Sequence, residues 1–146
     1  MYQDFVVENF RGFRYLELPG LGRVNLIAGA NNSGKTAALE AIYLHASGPF
    51  AGRTAIRALN PARGFTAIRA EQDSSPWDVL FPSFTGRTPI RLSALTSEGS
   101  YQLELRIVGP DHYPSDTDVS QIESAIQGMA TRAFEIRETR SAKRRT

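Results

Sequence analysis

A chain of 146 residues with 41% apolar and 22% charged side chains is long enough for one domain with its own core. It contains no cysteine, which excludes a disulfide framework and thiolate metal sites and fits a reducing cytoplasm. The net charge is +2, the start carries no basic segment followed by a long apolar run, and no stretch approaches about eighteen consecutive apolar residues, so membrane insertion is not expected.

In chain order, residues 4–10, rich in Phe and Val, and residues 14–18, which alternate before Pro19-Gly20, predict two strands of a β-meander. The short apolar run at residues 24–28 predicts a further strand, covered on both faces as in a parallel sheet. Gly29-Ala30-Asn31-Asn32-Ser33-Gly34-Lys35-Thr36 follows and fits the phosphate-loop pattern G-x-x-x-x-G-K-[ST] without a mismatch. A helix is expected to begin near Lys35. Leu39, Ile42, Tyr43 and Ala46 fall at i, i+3, i+4 and i+7, predicting an apolar stripe against the sheet, and Gly48-Pro49 supplies the stop. His45 is expected on the helix surface.

Each loop residue has a physical role. Gly29 and Gly34 lack Cβ atoms where the backbone must bend and approach phosphate oxygens, so that successive N–H groups point inward. The helix start adds unpaired N–H donors and the positive end of its dipole. Lys35 is expected at the β and γ phosphates of a nucleotide, and the Thr36 hydroxyl on Mg²⁺. Asn31, Asn32 and Ser33 shape the loop and donate from their backbones. The competing reading is a glycine-rich turn before an ordinary helix, but a lysine in a first helical turn opposes the dipole.

Residues 48–88 carry several Pro and Gly turns without sustained periodicity and predict an irregular insert. Its Trp77, Val79, Leu80, Phe81 and Phe84 are too apolar for a solvated linker and are expected to pack on the sheet. Residues 89–108 carry a clear hairpin signal. Ile90, Leu92 and Ala94 alternate with polar residues, a turn follows at residues 97–100, and Tyr101, Leu103, Leu105 and Ile107 alternate again. Residues 109–146 predict a loop, a short helix from Asp118 along Ile122, Ala125, Ile126 and Met129, a strand in which Phe134 and Ile136 alternate with Glu135, Arg137 and Thr139, and a basic tail. Arg132, Arg137, Arg140, Lys143, Arg144 and Arg145 crowd that tail. It is read as a solvated end segment, with nucleic-acid phosphate contact as the alternative.

The run Val7-Glu8-Asn9-Phe10-Arg11-Gly12-Phe13, the segment from Gly22 through Thr36 and Leu39-Glu40-Ala41-Ile42 closely resemble the N-terminus of ABC-type AAA ATPases of the RecF, SMC and OLD-nuclease kind, bacterial members included. The resemblance covers about the first forty-six residues. It implies an α/β P-loop NTPase fold, here an N-terminal lobe with β-meander, phosphate loop, helix and antiparallel hairpin. It also implies ATP and Mg²⁺ as cofactors, Arg11 near the phosphates, a second ATPase head as partner, and DNA as a target of the parent protein.

Those ATPases hydrolyse ATP with an apolar strand ending in Asp-Glu and a Ser-Gly-Gly signature. Neither motif follows Thr36. Because phosphoryl transfer relies on positioned charge, hydrolysis is expected to need a missing C-terminal lobe, the chain being a truncated reading frame or half of a split head. Two alternatives stand beside this: a small self-contained P-loop kinase or GTPase, although the guanine-specifying Asn-Lys-x-Asp is absent, and a non-enzymatic remnant that binds nucleic acid or protein through its basic tail and sheet edges. With His45 and His112 as its only histidines, the chain offers neither a zinc site nor a Cys-His pair.

Overall fold

The computed structural model describes residues 1–48, 80–82, 88–108 and 133–142. Strands β1 (Tyr2–Phe10) and β2 (Phe13–Leu18) are followed by helix α1 (Lys35–Ala46) and strands β3 (Ile90–Thr96), β4 (Gly99–Val108) and β5 (Ala133–Ala142). They build a five-stranded sheet in the order β2-β1-β3-β4-β5, antiparallel at every pairing. This differs from the parallel core in which a phosphate loop usually sits. The expected helix from Asp118 lies outside the described residues, as do Trp77, Val79 and Phe84 of the insert.

Alternation decides the faces. In register, Val7, Leu92 and Leu103 line up across β1, β3 and β4, as do Phe5, Ala94 and Tyr101, while Ile90 opposes Leu105. These residues form one apolar face, and Phe5, Val7, Ile90, Leu92, Leu103 and Leu105 are fully buried there. The opposite face carries Glu8, Arg91, Glu104 and Arg137 in neighbouring positions. Glu104 accepts from Arg91 at 2.8 Å and from Arg106 at 2.6 Å, which holds its carboxyl below the usual range despite the cost of burial. The hairpin and meander therefore form as their two-residue period requires, and Leu80 and Phe81 of the insert join the core. Strand β5 runs past the expected alternation, which ends at Thr139: it pairs with β4 through Ala142, so Arg140 belongs to the strand along with Arg137, each beside a glutamate on the same strand.

Three expectations are overturned. Residues 24–28 form no strand, and Val24 and Leu26 are each 92% exposed. Helix α1 buries Ala38, Ala41, Leu44 and His45, whereas Leu39 and Tyr43 of the expected stripe are 57% and 56% exposed and Ala46 is exposed; Ile42 alone of that set packs against the core. The physical reason is that α1 is apolar nearly all round, so periodicity cannot select a face, and the available sheet accepts the narrower, alanine-rich side. Ala38 and Ala41 let the helix come close to β1 and β3.

His45 is the second correction within this helix, being fully buried rather than on the surface. Its Nε2 lies 3.1 Å from the Tyr101 carbonyl and its Nδ1 2.7 Å from the Tyr2 hydroxyl. A carbonyl can only accept, so Nε2 carries a proton, and in the neutral ring that burial favours Nδ1 accepts from the tyrosine hydroxyl. The rings of Tyr2, Phe5 and Tyr101 surround it with centroids 5.4, 5.3 and 4.3 Å away. Burial lowers its pKa below 6.5, partly opposed by the Tyr101 carbonyl and by the charge of Glu138.

The unfolded chain thus gains a proton on His45 as pH falls through 6.5 while the folded chain does not, so stability is full above that value and declines below it. Urea midpoints measured from pH 7.5 down to pH 5 should fall, and the His45→Gln variant should lose most of that slope; an equal slope in both would exclude His45 as its source.

Candidate phosphate-binding site

The loop at residues 29–36 joins the irregular segment after β2 to the first turn of α1. Gly34 is the N-cap residue, with φ of 91°, and no side chain caps the helix. A Cβ at this position would also lie 2.6 Å from Cζ of Phe13, the first residue of β2, whose ring packs beneath the loop. Both the left-handed backbone and the close ring demand glycine here. At Gly29 a Cβ would come within 2.7 Å of the Ser33 hydroxyl oxygen, so the two ends of the loop approach each other as closely as glycine permits. Asn32 adopts φ of 62°, a conformation that asparagine tolerates better than most residues. The Ser33 N–H closes the turn on the Ala30 carbonyl at 3.3 Å.

Lys35 folds back into this loop. Its ammonium donates to the carbonyls of Gly29 at 2.8 Å and Ala30 at 2.6 Å. Those two acceptors offset the unfavourable position of a cation at the positive end of a helix. They also hold the charge over the loop rather than out in solvent. Asn31, Asn32, Ser33 and Thr36 are exposed, and no acidic residue occupies the first helical turn to neutralise its N–H groups. Gly29, Asn31, Asn32, Ser33, Gly34, Lys35 and Thr36 are therefore gathered in one exposed turn. An anion arriving there would replace the neutral carbonyl partners of Lys35 with negatively charged oxygens, adding a charge–charge attraction to the hydrogen bonds. Among the described residues no three His, Cys, Asp or Glu side chains cluster as a metal site would need.

Arg11 sits in the turn between β1 and β2 with φ of 51°, its N–H donating to the Leu80 carbonyl at 2.6 Å. Its guanidinium meets the Glu40 carboxylate at 2.7 Å, the two side chains being 16% and 14% exposed. Glu40 follows Thr36 by one helical turn and so lies on the same side of α1. The structure thus ties the β1–β2 turn to the helix of the phosphate loop and gives Arg11 a carboxylate partner. Glu40 was not singled out in the sequence, although its spacing from Thr36 is the available signal.

Comparison with known proteins gives partial matches. The chain is 47% identical to an uncharacterized protein of Methanocaldococcus jannaschii over 47 residues, covering 32% of this chain and 22% of that protein. It is 53% identical to the DNA replication and repair protein RecF of Nitrosococcus oceani over 38 residues, 26% of this chain and 10% of RecF. It is 40% identical to an ATP/GTP phosphatase of Helicobacter pylori over 43 residues, 30% of this chain and 12% of that protein. No family model and no solved structure matches. The matches to RecF and to the phosphatase point to kinship with P-loop ATPases and to nucleotide binding. The matched stretches span between a tenth and about a fifth of those relatives. Among the described residues, no helix is long and apolar enough to cross a membrane.

Gly34→Ala should lower unfolding stability by about 1–3 kcal/mol in urea titrations, from the left-handed backbone and the contact with Phe13; an unchanged midpoint would contradict the loop geometry. A double-mutant cycle on Arg11→Ala and Glu40→Ala should return a coupling energy of about 1–3 kcal/mol, and additive single effects would show that the pair does not hold turn to helix.

Proposed function

We propose that this chain binds ATP with Mg²⁺ through the loop at residues 29–36 and is the nucleotide-binding lobe of a P-loop ATPase related to RecF. The observation that carries the reading is the Lys35 ammonium held by the Gly29 and Ala30 carbonyls above an uncapped helix start. On this reading the ammonium turns from those carbonyls to the β and γ phosphates. The N–H groups of Gly34, Lys35 and Thr36 donate to phosphate oxygens, and the Thr36 hydroxyl holds Mg²⁺. The metal ion would neutralise phosphate charge. Gly29 and Gly34 keep the loop clear of side chains so that the backbone can reach the anion.

Arg11 has a different part in this scheme from the one its resemblance implies. Bound to Glu40, it braces the helix whose first turn receives the phosphate. Hydrolysis is assigned to the assembled parent protein rather than to this lobe: no carboxylate is placed in the loop or in the first turn of α1 to orient water. A second ATPase head and DNA enter the proposal through the kinship with RecF, named for DNA replication and repair.

Calorimetric titration of Mg-ATP into the intact chain and into Lys35→Ala, with phosphate release followed in the same samples, tests this. Affinity should fall at least about tenfold in the variant, about 1.4 kcal/mol, with negligible release from either. Equal affinity would refute the loop as the site, and brisk release would refute the assignment of hydrolysis to missing parts.

A further inference from the structure

The phosphate loop is shaped from within and fastened from outside by a single turn. Among the described residues its polar contacts are internal: the Ser33 N–H closes on the Ala30 carbonyl, and the Lys35 ammonium donates to the carbonyls of Gly29 and Ala30. These bonds set the curvature of the loop but tie it to no strand. The fastening comes from the two-residue turn between β1 and β2. At its far end the Phe13 ring lies so close under Gly34 that a Cβ there would stand 2.6 Å from Cζ. At its near end the Arg11 Nε meets the Glu40 carboxylate at 2.7 Å, one helical turn beyond Thr36. The turn is itself anchored in the body of the fold: the Arg11 N–H donates to the carbonyl of the fully buried Leu80 at 2.6 Å, and the Asn9 side-chain amide donates to the Pro89 carbonyl at 3.3 Å. Arg11 holds a left-handed backbone, φ of 51°, which is costly for a residue with a Cβ and which Gly12 beside it would take freely. A strained arginine at that position is explained by what its side chain holds.

We infer that Glu40 and Phe13, neither of which touches the anion, are positioning residues for the phosphate: with Arg11 they clamp the start of α1 to the β1–β2 turn, so that the N–H groups of Gly34, Lys35 and Thr36 converge on one anion. This positioning role rests on the phosphate reading of the loop. Converging donors must be held within about 0.5 Å of their working geometry, and the Ala38 and Ala41 contacts of α1 have little shape to resist a shift of that size. Charge alone would give the opposite sign to the clamp. A carboxylate one turn from an anion site repels the anion, so its removal should by Coulomb's law tighten binding. Removal also releases the Arg11 guanidinium from this carboxylate, and the attraction of a guanidinium for phosphate works in the same direction. With the clamp in force, loss of Glu40 weakens binding instead, because the donors no longer converge.

The test is calorimetric titration of Mg-ATP into the intact chain, Glu40→Ala, Glu40→Gln and Phe13→Leu, at a temperature where circular dichroism shows each to be folded. Affinity should fall at least about fivefold in Glu40→Ala and at least about threefold in Phe13→Leu. Glu40→Gln, which also lacks the charge but keeps an acceptor for Arg11, should stay within about twofold of the intact chain. Unchanged or raised affinity in Glu40→Ala, even with a lowered urea midpoint, would overturn the inference, as would an equal loss in Glu40→Gln. A second arm needs no nucleotide. The Ala38 N–H donates to the Gly34 carbonyl at 2.9 Å, the first hydrogen bond of α1. Its hydrogen exchange should quicken at least about fivefold in Glu40→Ala while that of the His45 amide, in the last turn, stays unchanged. No change at Ala38, or the same change at both ends of the helix, would overturn the clamp. Absence of Mg-ATP binding by the intact chain, with the Ala38 response in place, would fault the nucleotide reading alone.

Discussion

The position of the phosphate loop depends on how α1 is seated on the sheet, and the far end of the helix governs that seating. A helix that rests on alanines has little shape to register it, because Ala38 and Ala41 offer small, smooth contacts. His45 supplies what they lack. Buried and hydrogen-bonded on both ring nitrogens to Tyr2 and Tyr101, it ties the last turn of α1 to β1 and β4 at once. A neutral ring with both nitrogens satisfied avoids the penalty for an unpaired buried polar group while fixing rotation about the helix axis. The Arg11 to Glu40 pair adds a second tie, between the β1–β2 turn and the middle of the helix.

The same seating explains why so much apolar surface stays exposed. A helix that is apolar nearly all round can satisfy only one face against a single sheet. Choosing the Ala38, Ala41, Leu44 face leaves Leu39 and Tyr43 outside. Residues 24–28 likewise leave Val24 and Leu26 exposed, so apolar side chains stand uncovered on either side of one glycine-rich loop. The ionic ladder of Arg91, Glu104 and Arg106 on the opposite sheet face shows what a finished surface of this chain looks like by contrast.

How much of this could be read from the residues varies with the kind of signal. The meander and hairpin were legible because one face is buried and the other wet, so Val7, Leu92 and Leu103 announce their strands through period two alone. The loop was legible because its motif is a set of steric demands, and Gly34 meets them with both a left-handed backbone and a ring at its back. The face of α1 was not legible: hydrophobicity around that helix is nearly isotropic, and a polar histidine in the core inverts the usual ranking. The extent of β5 was obscured by its arginines and glutamates, which an edge strand tolerates because one side of it is open to water. Neither the Arg11 to Glu40 pair nor the bonds of His45 could be found from local pattern, since they join residues far apart in sequence.

Lys35 concentrates the functional argument, because its ammonium holds the carbonyls of the loop it is proposed to serve. The most direct test is a two-dimensional amide NMR titration of the intact chain with Mg-ATP. The account requires the largest shifts at Gly34, Lys35 and Thr36, with smaller ones at Gly29 and Ala30 as the lysine releases their carbonyls. Shifts centred on Arg137 and Arg140 of β5, or none in the loop at saturating nucleotide, would contradict it.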